Sequence, residues 1–220
     1  MQQQLVQRFR SADPADIDAW FDQIYPDIER LVVTGQRAAN SLTATYLVNH
    51  AATEGVLVTP TLVTPSTEQI ATSLRVTGPV AFKTSIKATG SELAARRVMI
   101  QRVTGAGQRL ILAGARDSID ETVHRSKTIV GWQRITSGSP CAFCAMLASR
   151  GAVYKSEDSA GSGGFHDHDS CSVEPVYSRD NTPSPFHAEW QQAKQLATRQ
   201  GTRTDVAFRQ IVEGRVPTEN

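Results

Sequence analysis

Aromatic residues are scarce: Phe, Trp and Tyr make up 6% of the 220 residues, against 40% for hydrophobic residues of all kinds. The core is therefore expected to be aliphatic and alanine-rich, with Trp20, Trp132 and Trp190 among the few large rings that fill it. No apolar run approaches the ~20 residues of a membrane-crossing helix, which excludes such a span and a membrane partner. The opening residues, Met1-Gln2-Gln3-Gln4-Leu5-Val6, lack the basic and apolar regions of a signal peptide. Synthesis and folding in a reducing cytoplasm are the expectation. Neither sign of charge dominates, the net being +1, so the chain as a whole gives no electrostatic case for nucleic acid. The Gly-rich phosphate and dinucleotide loops, His-Glu-x-x-His and Gly-x-Ser-x-Gly are all missing, and no small-molecule substrate is expected. Cysteine is nearly absent too. There are three, and an odd number leaves any disulfide scheme with one thiol over.

Those three cysteines fall in one window with two histidines: Cys141-Ala142-Phe143-Cys144, then His166-Asp167-His168-Asp169-Ser170-Cys171. In a reducing compartment cysteines are more often ligands or nucleophiles than disulfides. Thiolate and imidazole are the ligands zinc prefers, and a tetrahedral site needs four. The second cluster follows the first by roughly 20 residues, a common interval between zinc-ligand pairs. Cys141, Cys144, His166, His168 and Cys171 thus compete for four places, with Asp169 a sixth donor. The competing reading makes one cysteine a nucleophile with a histidine base, but no third group is fixed to orient such a pair, so no catalytic residue is assigned. His50, His124 and His187 read as surface or capping residues.

Around that window the chain divides into a helical part, 1–128, a small strand-and-loop module, 129–180, and a helical tail, 181–220. The fold class expected is mainly α with a small α+β zinc-type module. A first long helix starts at Asp13-Pro14, cap and first-turn residues by type. Its apolar stripe runs Ile17, Phe21, Ile24, Ile28, Leu31, Gly35, Ala38, Leu42, Tyr46, keeping phase through Pro26, which should kink it, until Gly55 ends it. Residues 56–65, with prolines at 60 and 65, read as an extended connector. Helices restart after Ser66 and after Gly78-Pro79. A second long helix spans about Ser91 to Thr128, with Met99, Val103, Ala106, Leu110 and Ala113 on one face. Its glycines and alanines at 105, 107, 114 and 115 suit close approach of another helix, so the two long helices are expected to pack together. In the module, 130–136, 152–154 and 173–177 alternate like short strands, and the tail offers helices around Trp190 and Phe208. A module this small lacks a sufficient core of its own, which favours a structural metal as its staple.

Charge is uneven within the second long helix. Between Lys87 and Lys127 there are eight basic residues against four acidic. Arg96, Arg97, Arg102 and Arg109 are the candidates for a partner- or DNA-facing stripe; a solvated helix face is the plainer reading.

The cysteine window also carries a likeness. Pro140-Cys141-Ala142-Phe143-Cys144-Ala145-Met146-Leu147-Ala148-Ser149-Arg150-Gly151, followed by Phe165-His166-Asp167-His168-Asp169-Ser170-Cys171-Ser172-Val173-Glu174-Pro175, resembles the minor head proteins of tailed phages, the Mu F-like head morphogenesis family. The closest likeness is to the actinobacteriophage branch whose members are often labelled capsid maturation proteases. The family pattern is Cys-x2-Cys, a leucine and a glycine shortly after, then His-Asp-x-Cys-x-Cys leading into a strand. Laid on this chain, its histidine is His166 and its last cysteine Cys171, and Asp169 stands where a cysteine is expected. The resemblance implies a Cys141, Cys144, His166, Cys171 zinc set with His168 in reserve. It also implies a minor capsid protein of the virion, at the portal vertex or capsid interior, acting by binding. Its partners would be the portal protein, the major capsid protein or scaffold, and in some members packaged DNA. A capsid maturation protease is the alternative the family label carries.

Overall fold

The computed structural model describes residues 2–64, 66–136, 140–154, 171–178 and 184–214. Among the described residues the fold is mainly helical with a small two-stranded antiparallel sheet. Contacts divide the chain into two units, one built from 1–49 and 60–118 and the other from 50–59 and most of 119–220.

In the first unit, α1 (Gln2–Arg10), α2 (Ile17–Thr53), α3 (Thr67–Arg75), α4 (Ala81–Thr89) and α5 (Glu92–Arg125) contribute to one apolar core. Asp16, rather than Asp13, caps α2, its carboxylate accepting from the Ala19 N–H at 3.0 Å; Asp13 instead closes the preceding turn onto Ala15. Pro26 lies inside the helix, and Gly55, at φ 72°, follows its end. Ser66 caps α3 through the Gln69 N–H. Helix α4 begins at Ala81, just after Gly78-Pro79 as expected, but no break precedes it. Residues Val76–Val80 form a π-helical turn joining α3 to α4, a wide turn that accommodates a residue with no N–H to give.

Met99, Val103, Ala106 and Leu110 are fully buried on α5, as their spacing predicts. The stripe on α2 departs from expectation after Gly35. Leu42 and Tyr46 are exposed, at 73% and 36%, while Gln36, Asn40 and Thr43 are buried. The reason lies in the connector that follows. Extended backbone outside a ladder must satisfy its N–H and C=O groups some other way. At Val63 the Asn40 amide donates to the carbonyl at 2.8 Å, and the Val63 N–H donates to Ser118 Oγ at 2.8 Å. Gln36 donates to the Leu110 carbonyl at 2.9 Å, so the two long helices do meet, through a polar bond as well as the shared core.

Helix α1 was not expected from so glutamine-rich a segment, although Leu5, Phe9 and Ala12 recur at helical spacing and all three are buried. It is seated by absent side chains. A Cβ built on Gly107 of α5 would overlap Leu5 Cδ2, and one on Gly78 would come within 2.8 Å of Phe9 Cε1. Gly107 of α5 and Gly78 of the π turn therefore admit α1. Phe9 completes the seat edge-on to Trp20, with ring centroids 5.5 Å apart.

In the second unit, β1 (Gly131–Ile135) pairs antiparallel with β2 (Ser172–Val176), Gly131 opposite Val176 and Ile135 opposite Ser172. The expected third strand is a single bridge, Tyr154 to Trp132. Because the Trp132 N–H donates to the Tyr154 carbonyl, the Trp132–Pro175 pair makes no ladder bond, and Pro175 sits where β2 has no N–H to offer β1. Helices α6 (Ala142–Ala148), α7 (His187–Gln200) and α8 (Thr204–Val212) complete the unit. Ala145, Ala193, Ala197, Ala207 and Phe208 form its core, with Trp190 packed edge-on against Phe208.

Replacing Gly107 with alanine is expected to destabilise the protein by about 1–3 kcal/mol through overpacking. The cost should shrink in a Leu5→Ala background, because the clash is with that side chain. Urea unfolding of the single and double variants measures the coupling, and additive effects would refute the seating of α1.

Candidate functional site

The Cys-x2-Cys segment is not a loop but the start of a helix. Cys141 is the N-cap of α6, extended at φ −66° and ψ 157°, and its sulfur accepts the Cys144 N–H at 3.4 Å. Cys144, one turn in, is buried, as is Cys171 at the entry to β2; Cys141 is exposed. All three are thiols rather than half-cystines. The Cys141 and Cys144 side chains also interact directly. Partial burial pushes the Cys141 thiol up, helped by the Cys144 thiol beside it and opposed by the neighbouring backbone N–H groups.

Of the expected ligands, then, Cys141 and Cys144 are brought together and Cys171 belongs to the same unit. His166, His168 and Asp169 lie outside the described residues. Among the described residues no three Cys, His, Asp or Glu side chains are gathered closely enough to hold a metal. The chemistry of the adjacent thiol pair suits half of a tetrahedral zinc site.

A network around Trp132 places this helix. The indole stacks on Tyr154 with centroids 4.5 Å apart and donates to Asp120 Oδ1 at 2.7 Å. The Tyr154 hydroxyl donates to the Leu147 carbonyl of α6 at 2.8 Å. Burial pushes the Tyr154 phenol up, against the lowering pull of the Arg150 and Arg134 charges. Gly131 lets Tyr154 come close, since a Cβ there would lie 2.7 Å from the Tyr154 carbonyl oxygen.

The same unit holds a cavity of about 810 Å³, lined by His50, Glu54, Glu174, Tyr177, His187 and Trp190 among others. His50, in the last turn of α2, has its ring 5.4 Å from that of Tyr177. The Tyr177 hydroxyl is buried without a partner among the described residues, and burial, reinforced by the Glu54 charge, pushes its phenol up. Sequence reasoning missed this cavity. Its residues come from five stretches between 50 and 194, so no local pattern announces it. Two of its serines, Ser149 and Ser184, donate to backbone carbonyls, of Met146 and Ser149.

The arginines of α5 divide by role. Arg96 pairs with Glu92 at 2.7 Å and donates to the Ala12 carbonyl at 3.0 Å, and Arg109 donates to Ser73 Oγ at 2.8 Å. Arg97 and Arg102 are exposed, but five residues apart they point about 140° from each other around the helix. The four do not make one continuous basic stripe.

The model of one protein family, described as VG15 protein, matches residues 1–194, taking in both long helices and the whole Cys/His window. No curated protein and no solved structure matches the chain. No helix among the described residues is long and apolar enough to cross a membrane.

The capping role of Cys141 is separable from any role as a ligand. In metal-stripped protein, Cys141→Ser should hold or raise stability, serine being the better cap, whereas Cys141→Ala should lose about 0.5–1 kcal/mol. Chemical denaturation of the two variants measures the difference, and equal loss in both would remove the cap.

Proposed function

The chain belongs to the VG15 protein family, a family of viral and phage gene products, and on that premise we propose that it is a minor capsid or head morphogenesis protein of a tailed phage. It acts by binding, at the portal vertex or the capsid interior, to the portal protein, the major capsid protein or scaffold. The observation that carries this reading is the extent of the family match, which includes the Cys/His window that resembles the Mu F-like pattern. The paired thiols at the start of α6 support a structural metal there. Zinc would be held by Cys141 and Cys144, with Cys171 and His166 or His168 as the remaining donors. Bound, it would tie the start of α6 to the entry of β2 and supply no chemistry of its own.

Purified protein should contain about one zinc per chain, and chelation should lower its melting temperature. Cys171→Ser should reduce the metal content. Protein free of metal whose melting ignores a chelator would sink the zinc reading while leaving the assembly role standing.

The assembly role has its own test. Co-expressed with the phage portal, major capsid and scaffold proteins, the chain should co-purify with procapsids in substoichiometric amount, and the head proteins should keep their full lengths. New cleavage products that vanish when Cys141 or His187 is replaced would favour the maturation-protease alternative instead. Failure to associate with head particles would overturn the assembly role.

A further inference from the structure

We infer that Cys141 and Cys144 form an oxidisable dithiol that closes reversibly to an intramolecular disulfide, with Cys141 as the entry thiol and Cys144 as the resolving one. Three features of the structure combine to give this. The first is reach. On ideal helical geometry, residues three apart lie about 5 Å apart at Cα, inside the ~4.4–6.8 Å that a disulfide spans, and here the Cys144 N–H already donates to the Cys141 sulfur at 3.4 Å. The second is the asymmetry of access. Cys141 is exposed at the cap, whereas Cys144 is 2% exposed beneath it, so a reagent in solution meets Cys141 first and Cys144 only through it. The third is mechanical. Cys141 precedes the first residue of α6, so closing the link draws on the extended cap residue and leaves the helical bonds of Ala142–Ala148 in place.

The oxidant class is a low-molecular-weight disulfide such as oxidised glutathione. The Cys141 thiolate attacks one of its sulfurs, forming a mixed disulfide and releasing one glutathione thiolate. The Cys144 thiolate then attacks the Cys141 sulfur and displaces the second glutathione. Two cysteine protons pass to solvent or to the released thiolates. The protein dithiol loses two electrons, and one glutathione disulfide becomes two glutathiones. Dithiothreitol reverses both steps. The inference does not rest on the zinc reading, but the two meet at the same sulfurs: a metal bound there blocks the reaction, and the closed disulfide removes two donors.

The test uses the full chain, in parallel with and without prior chelator treatment, incubated with oxidised glutathione, then alkylated and mapped by mass spectrometry. After chelator treatment, two of the three alkylatable thiols should be lost, the chain mass should fall by two hydrogens, and the link should map to 141–144 with Cys171 still alkylated. Cys144→Ala, or Cys144→Ser if the alanine variant folds poorly, should leave Cys141 trapped as the glutathione mixed disulfide. Cys141→Ser should abolish the reaction at Cys144. A stable mixed disulfide on Cys141 with Cys144 intact, a link mapping to Cys171, or three unreacted thiols would each overturn the proposal. The untreated arm reports on the metal separately. Protection relieved by chelation supports zinc, and equal oxidation in both arms removes zinc while the dithiol stands.

Discussion

The second unit depends on one aromatic pair. Trp132 and Tyr154 stack at 4.5 Å, an arrangement worth about 0.5–1.5 kcal/mol beyond the area it buries, yet its consequence is mostly geometric. Each ring has a polar handle, and each handle reaches a different element. The indole N–H holds Asp120 near the end of α5, and the phenol holds the Leu147 carbonyl in α6. The Trp132 N–H meanwhile ties Tyr154 to β1. Remove the stack and the orientation of α6, with both its cysteines, loses its reference to the sheet. In a chain with so few aromatics, two of them are committed to aiming one seven-residue helix.

That arrangement changes the weight of the argument for a metal staple. The strand-and-loop segment looked too small to be stable by itself, and a metal was the natural remedy. The described residues offer another. Ala145 of α6 packs with Ala193 and Ala197 of α7 and with Ala207 and Phe208 of α8, so the tail supplies apolar cover that the segment lacks in isolation. Alanine on every side lets these short helices approach closely, which is how an aromatic-poor sequence still makes a core. The case for zinc therefore rests on the chemistry and pairing of the donors rather than on a shortage of packing.

What was legible in the sequence follows a physical line. Where burial is driven by apolar contact, spacing sufficed: Ile17, Phe21 and Ile28 on α2 and Met99, Val103 and Leu110 on α5 lie where their periods place them. The strands at 131–135 and 172–176 and the two tail helices were equally plain. Legibility failed where something other than hydrophobicity decides. Asn40 is buried in place of Leu42 because a proline-bearing connector needs its Val63 carbonyl satisfied, and no local pattern announces a bond across 23 positions. Pro79 breaks a helix by rule but not inside a π turn. Helix α1 depends on the missing side chains of Gly78 and Gly107, some 70 and 100 residues away from their partners. The cavity beside Tyr177 is assembled from distant stretches in the same manner.

The cysteines were legible as a cluster but not as a shape. Cys-x2-Cys suggests a loop closing around an ion, yet here it begins a helix, with the first sulfur serving as the cap. The two descriptions are compatible. A sulfur that accepts one N–H keeps lone pairs for a metal, and bonds of this kind orient and stabilise a ligand once it is a thiolate. Without a metal, partial burial and the second thiol favour the protonated form of Cys141 instead. The helix start thus holds two opposed influences on one sulfur: N–H groups that favour its anion, and surroundings that favour its thiol. A bound cation would tip that balance toward the anion.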